Sequence, residues 1–157
     1  MLARIPRTAD RESLSVEFCC DLGPTSLREI RRAVQRLLAG RDGFLTSDAV
    51  LVADELAGNA CRHGAAPAKC RLTADHGRGV FRIEVDDASS AMPRLRSPDH
   101  TGGRGLVLVD RLASCWGVRS FPRHKTVWAE FALDAAASPE QGRSVSPGHP
   151  DGALSAS

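Results

Sequence analysis

Residues 51–64 limit what this chain can fold into more than any other stretch. Leu51, Ala57 and Ala60 are among small and apolar residues spaced for one packed face of an α-helix. Glu55 and Asn59 interrupt that pattern four positions apart, so their side chains stand one turn above the other on a single face. A carboxylate and a carboxamide on the inner part of a helix are costly unless solvated, used as caps, or given a task. A hard cation such as Mg²⁺ is one user, because it takes oxygen ligands while keeping several waters.

Two downstream segments add to this pair. Residues 81–87 alternate apolar and polar side chains, as a half-buried strand does, and end on Asp86 and Asp87, with the small residues Ala88, Ser89 and Ser90 following. Gly102, Gly103, Arg104 and Gly105 then open an apolar-periodic run through Leu106, Val109 and Leu112 that reads as a helix. A glycine turn at a helix N-terminus offers free backbone N–H groups to an anion, and the missing side chains let a phosphate approach. Each motif alone is common. Their order is the informative part.

A helical Glu-x-x-x-Asn, a strand ending in Asp, a glycine turn before a helix, and a later strand with Lys125 and Thr126 resemble the Bergerat-type, histidine kinase-like ATPases. These include histidine kinase catalytic domains, gyrase-type ATPases and the small anti-sigma-factor serine kinases. Asn59-Ala60-x-Arg62-His63-Gly64, Gly102 through Asp110, Trp116-Gly117-Val118 and Lys125 through Ala129 look most like the single-domain, actinobacterial anti-sigma regulatory kinases. The resemblance covers roughly residues 14–133. It implies an α+β fold: a two-layer sandwich whose mixed, mostly antiparallel sheet carries helices on one face. It also implies residue roles. Glu55 would act as general base, Asn59 as Mg²⁺ ligand and Asp87 as acceptor for the adenine amino group. Gly103 and Gly105 would let the backbone close on phosphates, with Arg104 and Lys125 as phosphate contacts and Thr126 near the base. The chain departs from the family's Asp-x-Gly-x-Gly, having Asp87-Ala88-Ser89-Ser90-Ala91, and His124 replaces a glycine before Lys125.

On that resemblance the chain is expected to be an ATP- and Mg²⁺-using anti-sigma factor with serine/threonine kinase activity toward an anti-sigma factor antagonist. Its partners would be that antagonist and a sigma factor, with a homodimer implied. A non-catalytic module that uses nucleotide only to shape a partner-binding surface stays open.

Composition narrows the classes. The net charge of +2 lacks the basic excess of a nucleic-acid binder, and 4% aromatic residues with no tyrosine leave little for base stacking. No apolar run approaches the roughly 18 residues that a membrane span needs, and residues 1–7 lack a hydrophobic signal core, so a cytoplasmic protein is expected. Cys19, Cys20, Cys61, Cys70 and Cys115 form no metal-type pair and read as packed thiols.

Along the chain we expect a loose leader at 1–11, one domain at 12–134 and a disordered tail at 135–157, rich in Ala, Ser, Pro and Gly. A first strand is expected at 13–19. Ser26 with Glu29 suggests a capping box for a helix running to Gly40, its arginines 28, 32 and 36 on the solvent side. The Glu55 helix should begin near Ser47. Residues 68–74 and 80–86 read as a hairpin, 106–113 as a helix, 116–121 and 126–133 as strands, and 89–101 as a short lid loop.

Overall fold

The computed structural model describes residues 15–89 and 104–133, Arg104 by its backbone alone. The expected leader, the tail, Gly103 and nearly all of the expected lid lie outside the described residues. Within them the chain forms β1 (Ser15–Asp21), α1 (Ser26–Leu37), α2 (Gly43–His63), β2 (Ala68–Asp75), β3 (Val80–Asp87), α3 (Arg104–Leu112), β4 (Cys115–Ser120) and β5 (Lys125–Ala132).

α1 forms because Ile30, Ala33, Val34 and Leu38 recur at helical spacing and are fully or almost fully buried. The expected capping box does not form. Thr25 is the N-cap and makes no side-chain cap bond. The Ser26 hydroxyl, already inside the helix, turns back instead: it donates to Gly23 O (2.7 Å) and accepts from Gly23 N–H (3.0 Å). α2 begins earlier than expected, at Gly43, because Asp42 caps it by accepting the Phe44 N–H at 3.1 Å.

α2 is the central helix. It packs between α1 and α3 and lies over β2, β3 and β5. Its buried positions are mostly small, namely Ala49, Ala53, Ala57, Gly58 and Ala60 around Val52 and Leu56, which lets α1, α3 and the sheet approach its backbone closely.

The sheet has the order β1-β2-β3-β5-β4 and every ladder in it is antiparallel, so among the described residues the sheet is not mixed. The β2–β3 hairpin falls where the sequence places it. Its turn uses Gly79 at φ +66° and the Asp75 carboxylate, which accepts the Arg78 N–H at 2.9 Å. Cys70, Leu72 and Ala74, then Phe81, Ile83 and Val85, then Val127, Ala129 and Phe131 face the helices and form the core with them. All helices among the described residues lie on that one face, giving the two-layer α+β sandwich.

The other face is polar. Arg82 pairs there with Glu130 and Glu84, Arg71 pairs with Glu84 at 3.3 Å, and the Trp128 ring lies under the guanidinium of Arg82 at 4.5 Å. Trp128 is thus a sheet-face anchor. Trp116 ties β4 to α3 by donating its indole N–H to Asp110 at 2.9 Å.

Candidate functional site

Glu55 and Asn59 lie half-buried on α2, on the side where α3 begins. Gly105, the second residue of α3, packs directly on them. A Cβ there would collide with the Glu55 carboxylate and stand 3.4 Å from the Asn59 amide nitrogen. The first turn of α3, whose backbone N–H groups have no partner within the helix, is therefore brought against the carboxylate and carboxamide. A Cβ would fill this cradle, and the oxygens beside it are hard donors. Two protein oxygens suit an ion that keeps waters and shares phosphate oxygens, so Glu55 and Asn59 fit a Mg²⁺–nucleotide pair.

Arg62, which the sequence reading left out, belongs to this cluster. Its Nη2 donates to Asn59 Oδ1 at 3.1 Å, and its guanidinium folds back over Gly58, where a Cβ would stand 2.9 Å from Nη1. The signal was present: Arg62 follows Asn59 by three residues, on the same helix face.

Asp87 ends β3 and is 3% exposed. Its Oδ1 accepts the N–H groups of Ser89 (2.7 Å) and Ala65 (3.4 Å), and its Oδ2 lies 3.5 Å from Lys125 Nζ. Gly64, just after α2, sits beside it: a Cβ there would be 2.9 Å from Asp87 Cγ and 2.5 Å from Ala60 O. The backbone thus passes close to a buried carboxylate at one end of α2, while Glu55 and Asn59 stand one to two turns back along the same helix.

Lys125 reaches Asp87 because the two residues face each other across the β3–β5 ladder. Thr126, the next residue, points to the opposite face, and its hydroxyl donates to Asp86. The structure therefore brings Glu55, Asn59, Gly105, Asp87 and Lys125 to the helix side of the sheet and puts the Thr126 hydroxyl on the other side. The Arg104 side chain and Gly103 lie outside the described residues.

The described residues thus form an α+β sandwich with a polar pair on its central helix beneath a helix start and a buried carboxylate at a strand end. Residues 21–131 match the histidine kinase-like ATPase domain, and the chain belongs to that family. The chain is also similar to the crystal structure of the RsbU and RsbW domains of Rv1364c from Mycobacterium tuberculosis, with a TM-score of 0.57 and 22% identity. That likeness covers 76% of this chain and 32% of the other, so the chain spans about a third of that structure's length, and the likeness is one of fold. No curated protein matches the sequence.

Proposed function

We propose that this protein binds ATP with Mg²⁺ and transfers the terminal phosphoryl group to a serine or threonine of a small antagonist protein, while holding a sigma factor in its other state. The observation that carries this reading is the contact of Gly105 with Glu55 and Asn59, which unites an anion-favouring helix start with a base and an oxygen donor. Phosphoryl transfer asks mainly for positioning and charge neutralisation, which bound Mg²⁺ and such a helix start supply together. In this reading Glu55 orients or deprotonates the acceptor hydroxyl, Asn59 holds the metal, and Arg62 is a further cation beside it. Asp87 takes the adenine amino group, and Lys125 stands next to that contact. Gly103 and Arg104 complete the phosphate side. The RsbW domain of the fold relative supports the anti-sigma assignment by analogy of architecture.

We further infer a cytoplasmic protein that acts on protein partners, without direct nucleic-acid contact; only the family resemblance points to a homodimer. No helix among the described residues is long and apolar enough to cross a membrane.

One observation favours a second reading, a nucleotide-shaped binding module. Asn59 Oδ1 already accepts from Arg62, and Asp87 is already engaged by Lys125 and two backbone N–H groups. Nucleotide would have to share or displace these partners.

Thermal melting with Mg-ATP, Mg-GTP and ATP plus EDTA tests the binding half. Ligand at about 100 times its Kd stabilises by about 2.7 kcal/mol, which is a rise of roughly 5–11 °C for a domain of this size. A Mg²⁺-dependent, adenine-selective rise that Asn59→Ala abolishes supports the site, and no rise at millimolar ATP removes it. Glu55→Ala separates the two readings: the kinase reading expects the melting shift kept and phosphoryl transfer to the antagonist lost.

A further inference from the structure

The outer edge of β1 and the overhanging side of α1 enclose a groove on elements that contribute nothing to the Glu55–Asn59 cleft. Among the described residues β1 pairs with β2 alone. One step past that ladder, the Leu22 N–H donates to Ala68 O at 2.9 Å. Antiparallel bonding alternates along a strand, so the backbone groups of Cys20 and Phe18 also turn toward β2. Those of Glu17, Cys19 and Asp21 turn outward. Phe18 from β1, Glu29, Arg32, Gln35 and Arg36 from α1, and Ala39 just after it line the groove, whose volume is about 640 Å³. Phe18, opposite the core residue Leu72, places the groove on the helix side of β1, next to the strand's outer edge.

We propose that this groove receives an extended acidic segment of a partner protein, added to β1 as a sixth strand with its carboxylates beneath Arg32 and Arg36. An unpaired strand edge is a template for main-chain pairing, and side-chain pockets alongside it set the choice of sequence. Two arginines against the single carboxylate of Glu29 make the groove electropositive. Both arginines are exposed, and neither is held in an ion pair among the described residues. The opposite side of the same edge carries Glu17 and Asp21, whose side chains point away from the helices. Acidic residues therefore fit at every second position of the added strand, and neutral or basic ones fit between them. The chain's own residues 1–14 carry Arg4, Arg7 and Arg11 against Asp10 and Glu12, a charge that does not complement the groove.

The test uses the full chain and a bead-bound library of acetylated, amidated heptapeptides. Threonine is fixed at the four odd positions, and the three even ones are each Glu, Lys, Val or Ala. Wild-type protein should retain peptides enriched in Glu at the even positions. The double variant Arg32→Glu/Arg36→Glu should lose the best of these by about tenfold or more and turn toward Lys. Both side chains are exposed, and a melting curve checks that the variant is folded. Hydrogen exchange with the best peptide should slow the amides of Glu17, Cys19 and Asp21. Retention of the same peptides by both proteins, no retention by wild type, or protection away from β1 would overturn the proposal. So would edge amides already protected in the free chain by residues 1–14, since the occupant would then be the chain itself.

Discussion

At Gly105 one methyl group decides whether the start of α3 can rest on Glu55 and Asn59, since the added carbon would run into the carboxylate. Overpacking of this kind costs about 1–3 kcal/mol. The Glu55 side chain is flexible enough to yield, so Gly105→Ala should fold and melt lower. Its rise in melting temperature with Mg-ATP should shrink to less than half of the wild-type value, and an unchanged rise would detach Gly105 from the site. Glu55 and Asn59 were readable in the sequence because both lie on one helix, where spacing alone brings them together. Arg62 was equally readable and was passed over. The Asp87–Lys125 contact was not, because it depends on strand register between residues 38 positions apart. The same register explains why the Thr126 hydroxyl meets Asp86: neighbours on a strand face opposite ways, so Lys125 and Thr126 cannot both approach Asp87.

Within the sheet, Gly117 of β4 lies directly across from Trp128 of β5, and a Cβ at Gly117 would stand 2.9 Å from the indole ring. The ring is flanked by the guanidinium of Arg82 at 4.5 Å and that of Arg119 at 6.0 Å, so it has little freedom to move aside. Gly117→Ala should cost about 1–3 kcal/mol. The urea midpoint should fall with the slope unchanged, and a midpoint equal to wild type would mean that the indole yields freely. This need for glycine leaves no local mark, because the partner that imposes it lies on another strand. The β2–β3 hairpin was legible, since alternation and turn residues are local. The order in which β5 enters between β3 and β4 was not. Ser26 shows the reverse error: its spacing to Glu29 fits a capping box, yet the nearby Gly23 carbonyl takes the hydroxyl.

For the whole molecule, the polar face of the sheet sets a response to acid. Burial pushes Glu130 up, but hydrogen bonds from Arg82 and Cys115 and the Arg82 charge outweigh it and hold the carboxyl below its ordinary 4.5. A carboxyl depressed in the folded state adds stability that is complete above the ordinary value and is lost as pH falls through the folded one. The urea midpoint should therefore fall as the pH is lowered below the ordinary 4.5. Glu130→Gln should flatten that drop while lowering the midpoint at neutral pH, and equal pH slopes in both proteins would acquit Glu130. The position of β5 matters before the protein is finished. β5 is an interior strand, yet every other described element precedes it in the chain. A ribosome that has released β1 through β4 has made two fragments of sheet that cannot join, with one edge of β3 bare and β4 lacking its neighbour. Only when Lys125–Ala132 clears the exit tunnel can the sheet close, so nascent chains halted before that point should be soluble only with a chaperone's protection.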